Sequence, residues 1–255
     1  MNLMHRDGIH WIEPDLALPA GIRFWTAGGR GLESDSNRDS NQSYDWSDKG
    51  TVALDKLART LNTPSIVRMR QVHGNQVARV NEGLLSDEQV DACVTHDTLS
   101  LGVLSADCLP LVACDSSGVQ IGAAHAGWRG LAAGVVPNFI KAFDTKPEDL
   151  IVWIGPAISM QAFQVGWEVI EAFKSSPAFE FLDLSPHIQP DGTDDTKAYL
   201  DLPGLALAQL KALGVEKASW CGVCTFKNSS QFSFRRDQTA NRLLTGVTKT
   251  LLPSL

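Results

Sequence analysis

No apolar run in this chain approaches the ~20 residues a membrane helix needs. The longest, near Leu99–Val112, is broken by Asp107, Pro110 and small residues. A membrane-spanning protein is therefore not expected. The start, MNLMHRDGIHWIEPDL, has no apolar core of the kind a secretory signal carries. Cysteine is scarce, five residues in all and an odd count, with no spacing typical of a disulfide scaffold. Free thiols or metal ligands are expected instead, in a cytoplasmic protein. Positive charge is also in deficit: 22 basic against 29 acidic residues give a net charge of −7. That argues against a nucleic-acid or anionic-membrane surface. There is no G-x-x-x-x-G-K-[ST], no G-x-G-x-x-G after a strand and no G-x-S-x-G, so ATP, dinucleotide and serine-hydrolase chemistry lack their motifs. The six histidines include no His-x-His pair.

What is present suits a large globular core. The 255 residues are 44% hydrophobic and 20% charged, enough for one domain of substantial interior. Short apolar runs separated by turn residues predict strands at Ile22–Ala27, Ser65–Val72, Val90–Thr95, Leu101–Ser105, Leu109–Cys114, Val119–His125 and Ile151–Ile154. Later strands are expected at Val215–Trp220, Gln231–Phe234 and Leu243–Leu251. Asp115–Gly118 reads as a hairpin turn. Helical spacing marks Val52–Leu61, Leu131–Phe143, Glu168–Lys174 and Leu205–Leu213, the last opened by Asp201 and stopped by Gly214. Pro137 must lie in a first turn or make a kink. Residues 28–50 are polar and read as a long loop. Strands come in groups rather than in strict alternation with helices. That predicts an α+β single domain spanning residues 1–255, with mixed sheets covered by helices.

The chemistry concentrates at strand ends. His73, Cys108 and His125 each close or open an apolar strand beside glycine or alanine. Imidazole nitrogen and thiolate sulfur are zinc ligands, and three protein ligands leave a fourth position open. The separations of 35 and 17 residues are too long for a local zinc knuckle. The alternative is a buried free cysteine with two satisfied histidines. Asp107 reads either as a general acid or base beside that site, or as a turn carboxylate. Side chains of neighbours in a strand point to opposite faces, so Asp107 and Cys108 share a pocket only if the strand ends there. Arg129, in the glycine-bracketed Gly127–Gly130 turn, suits either a phosphate or carboxylate or a surface ion pair. Of Arg235 and Arg236, one is expected to face inward and pair with an anion or with Asp237. Cys221-Gly-Val-Cys224 follows a strand rather than opening a helix, which disfavours a thioredoxin-like reading.

Seven segments occur in fixed order: QVHG (Gln71–Gly74), DA (Asp91-Ala92), ADCLP (Ala106–Pro110), HAGWRG (His125–Gly130), GPAI (Gly155–Ile158), FQVGWEV (Phe163–Val169) and FSFRRD (Phe232–Asp237). Together they closely resemble the bacterial YfiH family, also called the laccase-domain or polyphenol-oxidase family. The resemblance runs from about Ile22 to the end of the chain. It implies a fold similar to the catalytic domain of the cytotoxic necrotizing factors. It implies zinc held by His73, Cys108 and His125. It also implies a purine nucleoside phosphorylase acting on adenosine, inosine or methylthioadenosine with phosphate, and adenosine deaminase activity. Two departures stand out. The family's TRxGG reads TAGGRG here (Thr26–Gly31), with Ala27 at the arginine position, and its SLNxGxxxGD loop survives only as NQSYDWSD (Asn41–Asp48).

In the phosphorylase reading Arg129, Arg235 and Arg236 are the substrate-binding candidates, and Cys108, Asp107 and His125 the catalytic ones. Two alternatives accompany it. One is a cysteine hydrolase editing peptidoglycan precursors, with Cys108 as nucleophile and His125 as base. The other is a copper-dependent polyphenol oxidase. A Cys/His site accepts copper, but the histidines needed for a multicopper cluster are lacking.

Overall fold

In the computed structural model, residues 1–6, 8–29, 50–81 and 89–251 are described. The expected loop 28–50 falls largely outside them, as do Arg30 and the Asn41–Asp48 segment. The first six-stranded sheet contains β1 (Asn2–Arg6), β2 (Ile9–Glu13), β3 (Ile22–Ala27), β4 (Ile66–Arg68), β7 (Ser100–Ser105) and β15 (Leu243–Lys249), in the order β1-β2-β3-β15-β7-β4. The second contains β5 (Val77–Arg79), β6 (Ala92–Thr95), β8 (Leu109–Asp115), β9 (Ile121–Ala126), β10 (Leu150–Ile154) and β14 (Lys217–Trp220), in the order β14-β10-β8-β9-β6-β5. A third, three-stranded sheet joins β11 (Gln164–Gly166), β13 (Lys197–Leu200) and β12 (Ile188–Pro190). Parallel and antiparallel pairs occur in both large sheets. The expected α+β fold with mixed sheets is the observed one.

Strand alternation sorts side chains into layers. Along β8, Val112 and Cys114 join Phe24, Leu101, Val103 and Val247 between the two large sheets. Leu109, Leu111 and Ala113 turn the other way, toward helices α2 (Trp128–Ala132), α3 (Val135–Lys141), α4 (Trp167–Lys174) and α5 (Leu202–Ala212). On the outer face of the first sheet, Trp25 and Leu244 meet Leu57 and Leu61 of α1 (Gly50–Leu61). The result is a helix, two sheets and a helical layer, with the central strands buried on both faces.

Several expectations are corrected. The run Leu131–Phe143 is not one helix. It breaks at Gly134, whose φ of 87° is left-handed, and Pro137 falls in the first turn of α3. The strand expected over Ser65–Val72 shortens to β4, followed by a single bridge from Arg70 to Gln89. Gln231–Phe234 is not a strand. Ser233 adopts an extended conformation, and its hydroxyl caps a short helix, α6 (Phe234–Asp237), by accepting from the Arg236 N–H at 3.1 Å. Period-two phenylalanines gave the strand signal, and local capping overrode it. The β1–β2 hairpin, β5 and the three-stranded sheet lack a signal that sequence reasoning caught. Asp201 does cap α5, accepting from the Gly204 N–H at 3.1 Å, and Gly214 at φ 91° follows that helix.

A candidate metal centre at the strand ends

In the second sheet β8 and β9 are antiparallel neighbours, with Pro110 opposite His125 and Leu109 opposite Ala126. The residue entering β8 and the residue next to the end of β9 therefore meet at one end of the sheet's central strands. Asp91, which precedes β6, joins them there: its carbonyl accepts from the His125 N–H at 2.7 Å. His73 arrives from the turn after β4, with φ 61°. The donor atoms of His73, Cys108 and His125 all lie within 4.8 Å of one another. His73 Nε2 is 4.0 Å from Cys108 Sγ, and the two imidazoles meet edge to face at 4.8 Å.

Asp91 holds this arrangement, a role its place in the DA pair does not reveal. It is fully buried. Its carboxylate accepts from the backbone N–H groups of Val72 (3.1 Å), His73 (2.9 Å) and Gly74 (2.7 Å). It also lies 2.8 Å from His125 Nδ1. One side chain thus fixes the His73 turn and the His125 ring, and leaves His125 Nε2 as the nitrogen free for the centre. Gln71 adds a second tie. Its amide accepts from the Leu104 N–H and donates to the Leu104 carbonyl, both at 2.8 Å, so a side chain pairs like a strand with β7.

Burial alone would push the Cys108 thiol up, but the hydrogen bonds and charges of His125 and His73 outweigh it and hold the thiol below its ordinary value. Burial pulls His125 down, and Asp91 with Cys108 more than reverses this, leaving the imidazole raised. Cys93, Cys114 and Cys221 behave oppositely: burial pushes each to about 12. Cys108 is thus a thiolate-competent cysteine with two imidazole neighbours, while burial keeps Cys93, Cys114 and Cys221 as thiols.

The donors fit a small borderline-soft ion. The space between them is kept by Gly127, where a Cβ would lie 2.9 Å from His73 Cδ2 and 3.0 Å from Cys108 Sγ. A neighbouring glycine, Gly130, lets α2 pass close to the His73 turn: a Cβ there would sit 2.7 Å from the Gly74 carbonyl oxygen. The group borders a cavity of about 640 Å³ whose walls include Gln71, Trp128, Arg129, Phe163, Phe234 and Arg235.

The remaining candidates divide. Asp107 borders the cavity with Cys108, and its φ of 89° is the bend that lets both do so. Its carboxylate is fully engaged, accepting from Thr225 Oγ1 (2.5 Å), Ser233 Oγ (3.1 Å) and the Arg235 N–H (2.7 Å). Arg129 is exposed, with its guanidinium 4.4 Å from the Trp128 ring centre. Arg235 lies over Phe163 at 5.2 Å and donates to the Gln164 carbonyl at 2.8 Å. Arg236 is not among the residues lining the cavity. It spans its own loop, donating to the carbonyls of Thr225, Phe226, Asn228 and Gln231 and pairing with Asp237 at 2.7 Å. Ala27 is fully buried on β3, packed in the apolar cluster with Trp11 and Leu244.

Comparison with known proteins finds relatives over most of the chain. Residues 31–250 match the family model described as multi-copper polyphenol oxidoreductase laccase. Purine nucleoside phosphorylase YfiH of Escherichia coli is 37% identical over 185 residues, covering 71% of this chain and 73% of its own. A purine nucleoside phosphorylase of Pseudomonas aeruginosa is 33% identical over 238 residues, covering 91% and 95%. Among solved structures, Neisseria meningitidis protein NMB0706 shares the fold with a TM-score of 0.81 at 28% identity, covering 94% and 99% of the two chains. The chain belongs to the YfiH, or laccase-domain, family.

Proposed function

We propose that this chain is a zinc-dependent purine nucleoside phosphorylase acting on adenosine, inosine and methylthioadenosine, with adenosine deaminase activity at the same site. The names of the relatives support the activity class. The observation that carries the reading is the convergence of His73, Cys108 and His125 on a cavity whose rim holds Arg129 and Arg235, neither of which has a carboxylate partner among the described residues.

Three residues would hold the ion: His73, Cys108 and His125. When bound, zinc supplies a Lewis acid for an oxygen of phosphate or water. The chain's own residues do the rest. Arg129 and Arg235, each braced on an aromatic ring, present guanidinium donors that can take phosphate oxygens bidentately. A phosphate oxygen so held attacks the anomeric carbon. The glycosidic C–N bond breaks, its electron pair stays with the purine, and the base takes up the proton that the attacking hydrogen phosphate gives up. Asp107, already accepting three hydrogen bonds, serves in this scheme by fixing the Arg235 backbone against the site. In this reading the protein works in the cytoplasm on nucleoside and phosphate. Among the described residues no helix is long and apolar enough to cross a membrane.

Inosine with phosphate should yield hypoxanthine and ribose 1-phosphate in equal amounts. Chelation should stop the reaction and zinc restore it. A Cys108→Ala protein that keeps full rate and full zinc content would defeat the proposal.

The line Asp91–His125–Cys108, with its lowered thiol, favours a second reading: a cysteine hydrolase acting on peptidoglycan precursors. His73 separates the two. It is a ligand in the first and dispensable in the second. His73→Ala should abolish zinc binding and phosphorolysis, whereas retained hydrolysis of a muramyl peptide by that variant would favour the hydrolase. Copper loading followed by a phenol-oxidation assay tests the oxidase name, for which this site offers two histidines.

A further inference from the structure

Three aromatic rings line the cavity, and two of them are covered. Arg129 lies over Trp128 and Arg235 over Phe163. The third, Phe234, makes no ring or cation contact among the described residues and is 49% exposed. Its neighbour Phe232, two positions earlier, is 1% exposed. An uncovered phenylalanine at the start of a short helix would ordinarily be an apolar liability. This one is held on both sides. Ser233 Oγ donates to Asp107 at 3.1 Å, the Arg235 N–H donates to the same carboxylate oxygen at 2.7 Å, and Ser233 caps α6. A buried carboxylate beside Cys108 thus clamps the backbone before and after Phe234 and leaves the ring itself facing cavity and solvent.

We infer that Phe234 is the stacking face for the nucleobase, a specificity residue that selects flat heterocycles and reads their π-face rather than their edge. The inference rests on the phosphorylase reading. An aromatic face accepts a purine whatever its ring substituents, so adenosine and inosine are held alike, while phosphate and sugar fall to the arginines and the metal side.

The test uses full-length zinc-loaded protein, with inosine and methylthioadenosine binding measured by calorimetry in the absence of phosphate, where phosphorolysis cannot run. Phe234→Leu keeps the apolar bulk and loses the ring; Phe234→Tyr keeps the ring. The leucine variant should bind both nucleosides roughly tenfold more weakly, the loss of one base–aromatic stack. Its zinc content should be unchanged, with KM raised and kcat nearly constant. The tyrosine variant should bind as the parent does. Equal binding by the leucine variant, or a loss confined to one nucleoside, overturns the inference and leaves the phosphorylase reading standing. A parent protein that binds neither nucleoside overturns both.

Discussion

At Asp91 four donors converge on one buried carboxylate, three of them backbone N–H groups of the His73 turn. Removing the acceptor strands all four. Asp91→Ala should lower unfolding free energy by about 3 kcal/mol or more, measured by urea denaturation. It should also weaken zinc about 10–100-fold, as loss of a group orienting a metal-bound histidine does, measured by competition with a chromogenic chelator. Gly127 makes the opposite kind of test. A methyl group there enters the space between His73 and Cys108. Gly127→Ala should lose bound zinc in elemental analysis while its thermal midpoint in the metal-free state stays close to the parent's. His73, Cys108 and His125 were legible in the sequence because each borders an apolar run. Asp91 was not. Its partners lie 17 to 34 positions away, and nothing local distinguishes a carboxylate that opens a strand from one that merely faces solvent.

Turns and caps show where elements could be read and where they could not. The Asp115–Gly118 turn was legible, and the structure gives its mechanism. Asp115 is 3% exposed and accepts from the N–H groups of Ser117 (2.8 Å), Val119 (3.2 Å) and Gln120 and from the Ser117 hydroxyl. Burial pushes this carboxyl up, but the four donors outweigh it and hold its folded-state value below the ordinary one. A lowered folded value means the unfolded chain takes up the proton first as pH falls. The turn's contribution is therefore complete above about pH 4, near the unfolded carboxyl's value, and is lost as pH falls through the lower folded value. Asp115→Ala should cost about 1–3 kcal/mol at pH 7. The gap between the two proteins should narrow below pH 4, as followed by denaturant melts across pH. The FSFRRD segment was misread for a reason of the same kind. Alternating phenylalanines suggest a strand, yet Ser233 and Asp237 supply a local cap, with the Ser233 N–H donating back to Asp237 at 3.4 Å. Side-chain capping is visible in residue types but competes with period-two alternation in so short a run. The expectation that one of the two arginines would pair with Asp237 is met by Arg236.

Over the whole molecule, fold class was legible because grouped strands exclude strict βαβ winding. Strand order was not, since it depends on pairings between distant segments. Strand β15 lies between β3 and β7, with Val247 opposite Phe24 and Leu101. Its backbone passes against the fully buried Trp25, whose Nε1 donates to Thr248 Oγ1 at 2.9 Å. Gly246 makes that passage possible: a Cβ there would come within 2.3 Å of the indole. Gly246→Ala should cost about 1–3 kcal/mol through overpacking. Differential scanning calorimetry should show a lower midpoint and no change in zinc stoichiometry at low temperature.

The position of β15 also sets the order of events at the ribosome. Strands β3 and β7 are synthesised well over a hundred residues before the strand that must lie between them. Until it leaves the exit tunnel their facing edges stay open, and Asp107 waits for Thr225, Ser233 and Arg235. The nascent chain therefore carries His73, Cys108 and His125 for about a hundred further residues of synthesis without a finished cavity around them.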